Sequence, residues 1–226
     1  VLVEKINFLG YEIIEIYDPV DYLIGKRLKK TCNELNIKLI IHETKLFINT
    51  SEELKGFFKE SKKKFFQTSF YKLERKKRNV LVDDDGKPIG GEWTYDILNR
   101  KKFPKDEIPP KITNPERNNY VIDSEKYVTK YFNENYGSLG LFNYPTTIKE
   151  SEDWFRNFLK ERFNKFGDYE DAIVKDNLTL NHSILSPLMN VGFISPKKVI
   201  TESLEYAEKN EIPINSTEGF IRQIMG

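Results

Sequence analysis

The apolar positions of this 226-residue chain change rhythm along its length. YEIIEIY over 11–17 is short and β-rich, and KLIIHET over 38–44 is a second buried-type strand. Between them, YLIGKRLKKTCNELN over 22–36 sets Ile24, Leu28, Cys32 and Leu35 on one helical stripe. Strand, helix, strand at this spacing predicts a βαβ unit with a parallel sheet. Such sheets often bind ligands at their strand C-termini, but no glycine-rich phosphate fingerprint is present here. Thr50 or Ser51 followed by Glu53 predicts a capped helix start. VLV at 80–82 is a short strand-like run, DDDGKP a turn and Gly90-Gly91 a break. Residues 94–118 are polar, carry four prolines and sustain no period, as a linker would.

Beyond the linker the pattern is helical. Residues 123–137 pair Tyr127 and Val128 with Tyr131 and Phe132 and stop at Gly137. Residues 147–167 open with a Thr147/Glu150 capping box and run a stripe of Trp154, Phe155, Phe158, Leu159, Phe163 and Phe166, with Gly167 as the stop. Ser195 caps a helix that has Pro196 at its first position. Asn215 and Glu218 predict a last capping box, after which Phe220, Ile221, Ile224 and Met225 want an apolar partner. The predicted architecture is an α/β part over 1–92, a linker over 93–120 and an all-α part over 121–226. The chain reads as an internal piece, cut at both ends.

Composition narrows the function classes. Hydrophobic residues at 38% and aromatics at 13% support a packed core. The charges nearly cancel at +1, so affinity for nucleic acid has to come from local patches. Residues 62–78 are one candidate: eight basic side chains against one acid, Glu74, interrupted by Phe65, Phe66, Tyr71 and Leu73. They read either as a solvated helix face with an aromatic underside or as a footprint for a phosphate backbone. Cys32 is the single cysteine, which excludes an internal disulfide and a cysteine-ligated metal site, and fits a reducing, cytoplasmic compartment. No apolar run approaches the roughly 20 residues that cross a bilayer.

NHSILSPLMNVGFISP at 181–196 predicts a short helix starting near Ser183, with Ser183 and Ser186 on one face, Pro187 in the first turn and Gly192 as a left-handed exit. Free N–H groups and two hydroxyls at such a start suit a pyrophosphate, but serines there also serve simply as caps.

This segment resembles the Thr-Ser-x-Leu-Ser-Pro flavin segment of the cryptochrome/photolyase family. It is most similar to the deoxyribodipyrimidine photolyase-related branch, the bacterial iron–sulfur 6-4 photolyases, where His-Ser replaces Thr-Ser. FYKLERKKRNVLVDDDGKPIGGEWTYDILNRKKFP (70–104), FGDYEDAI (166–173) and EGFIRQIMG (218–226) resemble further segments of that branch in the same order. The likeness covers most of residues 50–226.

The resemblance implies a Rossmann-like antenna domain, with a lumazine or deazaflavin as its possible chromophore, followed by a helical domain that holds FAD. It implies light-driven electron transfer from reduced FAD to a pyrimidine lesion, with UV-damaged DNA as the partner. Ser183 and Ser186, with the amides around Ile184 and Leu185, would contact the FAD phosphates. His182 would contact a phosphate or act as a packing imidazole. Tyr169 would lie beside the flavin's ribityl or phosphate region, or else in the core. Arg222 and Gln223 would line the flavin pocket, or else an exposed helix face. Departures from the family pattern are Lys72 where it has Arg, and Thr94-Tyr95 where it has Asn followed by an aromatic. The family's Trp-Arg-Glu helix, its four iron–sulfur cysteines and its repair histidines have no counterpart among these residues. No catalytic residue is therefore assigned, and a second chain supplying the missing helices is one expectation. A cryptochrome-type photoreceptor without repair, and a non-catalytic module that binds nucleic acid or a partner, are the alternatives.

Overall fold

The computed structural model describes residues 2–140 and 142–225. It divides into two compact units, residues 1–57 and 58–226.

The first unit holds α1 (Leu2–Leu9), β1 (Ile13–Tyr17), α2 (Tyr22–Glu34), β2 (Lys38–His42) and α3 (Ser51–Lys55). β1 and β2 pair in parallel from Ile13 opposite Lys38 to Tyr17 opposite His42, so the predicted βαβ unit forms. The Asp21 carboxylate caps α2 by accepting from Ile24 N–H at 2.7 Å. Thr50 and Glu53 form the predicted capping box. Of the expected α2 stripe, Cys32 is buried and Leu28 and Leu35 are half-buried, but Ile24 is exposed. The observed sheet has two strands, a smaller thing than the Rossmann-like layer the resemblance implies.

The second unit holds α4 (Gln67–Arg78), a 3-10 turn (Asp96–Asn99), α5 (Asn119–Tyr131), α6 (Ile148–Glu161), α7 (Phe166–Tyr169), α8 (Ser186–Asn190), α9 (Pro196–Lys209) and α10 (Ile214–Met225). Its core is aromatic. The predicted helix over 147–167 ends at Glu161, and its stripe continues through a 3-10 turn (Phe163–Lys165) into α7. The Phe220 ring lies 4.9, 5.5 and 5.2 Å from those of Phe158, Phe163 and Phe166, so α10 finds its apolar partner in that stripe. Ser195 caps α9 as predicted, accepting from Lys198 N–H at 3.3 Å.

Several expectations change. α5 begins at Asn118, whose side chain caps it, and so lies earlier than the predicted 123–137. Thr147 caps α6, but Glu150 turns its carboxylate to Thr146 N–H at 3.0 Å and not to Thr147, leaving half a capping box. Those hydrogen bonds hold the Glu150 carboxyl below the usual range. Gly167 does not stop a helix: it lies within α7, where a Cβ would sit 2.7 Å from the backbone of Asn215 and Ser216. α10 starts at Ile214, two residues earlier than a cap at Asn215 would set it, so Asn215 and Glu218 are inside it and do not cap it. Gly226, the end of the fourth similar segment, lies outside the described residues.

The basic run is not a simple solvated face. In α4 Leu73 is exposed while Glu74 and Arg75 are buried. Arg75 donates to the carbonyls of Val80 at 3.2 Å, Trp93 at 2.9 Å and Leu81, tying residues 80–93 to the helix. Residues 58–92 fall in the same compact unit as the helices.

Candidate functional site

Three of the similar segments meet in one polar network. The 3-10 turn brings Asp96 and Asn99, the end of α7 brings Glu170, and α10 brings Asn215, Glu218, Arg222 and Gln223. Glu170 is the hub. It accepts from Asn99 Nδ2 at 3.2 Å, from Arg222 Nη2 at 3.3 Å and from Gln223 Nε2 at 2.9 Å. Arg222 Nη2 also reaches Asp96 Oδ1 at 3.3 Å, and its Nε lies 3.4 Å from Glu218 Oε1. Tyr95 N–H donates to Glu218 Oε2 at 3.0 Å. Burial pushes the Glu170 carboxyl above its usual range, with Arg222 and Asn99 opposing the shift. Burial and the Glu218 charge push the Tyr71 hydroxyl strongly upward, so that phenol stays protonated. Gly219 is required here: a Cβ would meet Asn99 Nδ2 at 2.6 Å.

The turn at 181–186 is held from beneath by α6 and the residue after it. Trp154 Nε1 donates to Ser183 O at 3.0 Å, and Arg162 Nε donates to His182 O at 3.2 Å. Asn181 Nδ2 donates to Arg162 O at 3.2 Å. The His182 ring is spanned between backbone groups: Nδ1 accepts from Leu180 N–H at 3.2 Å, so Nε2 carries the proton and donates to Glu170 O at 3.0 Å. Ile184 then takes a left-handed conformation, φ +57°, which a β-branched residue adopts only at a cost of about 1–3 kcal/mol. Leu185 follows in the right-handed region, φ −90° and ψ −15°. A left-handed residue followed by a right-handed one turns successive N–H groups into a common concavity, an anion-binding nest.

The predicted residues fall into two groups. Ser183, Ile184, Leu185 and Ser186 share this turn, but Ile184 breaks the helix between the serines, so α8 begins at Ser186 and the two hydroxyls do not share a helical face. Leu185 points into the core, and Ser186 is exposed. Both His182 nitrogens are engaged by backbone. Tyr169 is buried, its ring 4.9 Å from that of Phe103. Arg222 and Gln223 belong to the polar network and meet the turn only through Glu170, whose side chain they touch and whose carbonyl His182 holds. Sequence reasoning missed Glu170, Asn99, Trp154's indole N–H and Arg162. The signal for Arg162 was available: a cation four residues after Phe158 and four before Phe166, on the apolar stripe of the helix.

Comparison with known proteins places these segments. Residues 2–144 match the family described as deoxyribodipyrimidine photo-lyase-related protein. The chain belongs to that family. It is 27% identical over 214 residues to a (6-4) photolyase of Agrobacterium fabrum, covering 93% of this chain and 41% of the relative. It is 44% identical over 94 residues to an uncharacterised protein of Acanthamoeba polyphaga mimivirus, covering 40% of this chain and 47% of that protein. A crystal structure of a bacterial class III photolyase from Agrobacterium tumefaciens superposes with a TM-score of 0.54 at 15% identity, covering 99% of this chain and 40% of that one, a likeness of fold. The chain thus spans less than half the length of these relatives.

The donor sets differ in what they could hold. The nest at 184–186, above the buried Arg162 guanidinium, is chemically suited to the diphosphate of a flavin dinucleotide. An iron–sulfur cluster does not fit: the chain has one cysteine, and among the described residues no group of three or more His, Cys, Asp or Glu could hold a metal. Among the described residues no helix is long and apolar enough to cross a membrane.

Proposed function

We propose that this chain is part of a DNA photolyase-like flavoprotein that repairs UV pyrimidine lesions, 6-4 photoproducts in particular. Family membership supports the class, and the likeness to a (6-4) photolyase supports the lesion type. The observation that carries the flavin assignment is the Ile184–Leu185 nest in the very segment similar to the family's flavin segment. Bound FAD would supply light-driven transfer of one electron to the lesion. The chain's own residues would grip and orient it: the amides of Ile184 and Leu185, with Ser183 and Ser186, on the phosphates, and the buried Tyr169 beside the ribityl region. His182 would serve by holding the turn to Glu170, since its nitrogens are already used. Arg222 and Gln223 would fix one wall of the pocket through Glu170. Residues 1–57, with their βαβ unit, would belong to the antenna-type domain.

The test is direct. The protein, alone and together with a chain supplying the remaining helices of the family, is loaded with FAD, reduced and illuminated with lesion-bearing DNA. Flavin absorbance with light-dependent loss of lesions is expected. A flavin photoreaction without repair favours the photoreceptor reading, and a colourless protein that refuses flavin in both forms overturns the assignment.

A further inference from the structure

We propose that Arg162 and Trp154 are positioning residues for the diphosphate, and that the bound diphosphate is the missing counter-ion of Arg162. This rests on the flavin reading above. Arg162 is 1% exposed, yet its guanidinium meets no carboxylate at ion-pair distance among the described residues. Its Nε goes to His182 O and its Nη1 to Asn157 Oδ1 at 2.9 Å, while the buried Nη2 has no hydrogen-bond partner. The acid adjoining it in sequence, Glu161, is turned to Lys160 at 3.1 Å. Burial pulls the Arg162 guanidinium below its ordinary range, with the Glu161 charge opposing the shift. A buried cation left unpaired is strongly unfavourable, and an anion bound nearby in a low-dielectric setting relieves it.

The same two side chains set the direction of the amides. In a planar trans peptide the carbonyl and the following N–H point opposite ways. Arg162 draws the His182 carbonyl toward α6, and Trp154 draws the Ser183 carbonyl the same way. The N–H groups of Ser183 and Ile184 are thereby turned away from α6, and the left-handed Ile184 adds those of Leu185 and Ser186 to the same concavity. The strain at Ile184 is held by this clamp. A diphosphate in the nest would face the guanidinium across a single turn of backbone.

The experiment compares FAD, ADP and riboflavin binding to the intact protein, with Arg162→Gln, Arg162→Lys and Trp154→Phe variants. Arg162→Gln is expected to weaken FAD and ADP by at least about tenfold, the factor that about 1.4 kcal/mol represents. Riboflavin, which has no phosphate, should bind all forms equally. Arg162→Lys keeps the charge and should recover part of the loss, more at low salt than at high. Trp154→Phe keeps an aromatic side chain, smaller than the indole, and removes the N–H, so it tests the clamp even where Arg162→Gln fails to fold. Equal weakening of riboflavin, or unchanged ADP binding in both Arg162→Gln and Trp154→Phe, overturns the proposal. If the unaltered protein binds none of the three ligands, alone or with the chain supplying the remaining helices, the flavin reading falls and this inference with it.

Discussion

The first unit of this chain is the richer in apolar residues, yet the second buries them far more completely. In residues 58–226 the rings of Phe158, Phe163, Phe166 and Phe220 are at most 1% exposed. In residues 1–57 the described buried apolar side chains are Ile6 and Cys32, while Ile13 and Tyr17 of β1 are 50% and 64% exposed. A helix hides its apolar stripe against another helix of the same chain. A parallel strand presents apolar side chains on both faces and needs a layer on each, and two strands are few for independent stability. The packing of α10 on the Phe158, Phe163 and Phe166 rings therefore closes with the elements at hand, whereas the two-stranded sheet leaves apolar surface open.

Both tryptophans, Trp93 and Trp154, lie in the second unit, so indole fluorescence reads its unfolding alone. The largest effect is expected for Phe158→Ala, which should cost about 3–5 kcal/mol in the fluorescence-monitored denaturant transition. Ile16→Ala in β1 should leave that transition in place; a shift of similar size would break the contrast between the units. Arg75→Met comes next. It leaves the carbonyls of Val80, Leu81 and Trp93 without their donor and should cost about 2–4 kcal/mol by the same measurement.

A smaller and sharper test uses one substitution in both units. Gly167→Ala drives a methyl against the α10 backbone and should destabilise by about 1–3 kcal/mol. Gly25→Ala in α2 meets nothing within 4 Å and should stabilise the first unit by about 0.5–1 kcal/mol, read from far-UV circular dichroism. Like signs at the two positions would contradict the packing difference. The smallest effect is a pH slope. The Glu170 carboxyl is raised in the fold, so the folded state binds more protons than the unfolded one between the ordinary carboxylate range and the raised value. Its contribution is complete below the unfolded value and is lost as pH rises through the folded one. Glu170→Gln should flatten that slope, and an unchanged slope would assign it to another group.

Local features were legible in the sequence because their causes are local. Asp21, Thr50, Thr147 and Ser195 act within three residues of themselves, so the starts of α2, α3, α6 and α9 fall where spacing predicts. Trp154, Phe155, Phe158 and Leu159 of α6 follow from the helical period alone. The similar segments were recognisable in order, yet their order does not say that Asp96, Glu170 and Arg222 touch across separations of 126 and 52 residues.

Sequence by itself indicated the βαβ unit, the main helices, the family and the segment in which a flavin diphosphate is expected. Only the tertiary structure decided which side of each element is inside. Leu73 faces solvent while Arg75 is buried, its guanidinium satisfied by the carbonyls of Val80, Leu81 and Trp93. Ser183 and Ser186 are parted by the left-handed Ile184, next to two carbonyls held by Trp154 and Arg162. Periodicity reports where a side chain could point. Which polar groups become each other's partners depends on contacts between distant parts of the chain, and those are settled when the elements pack.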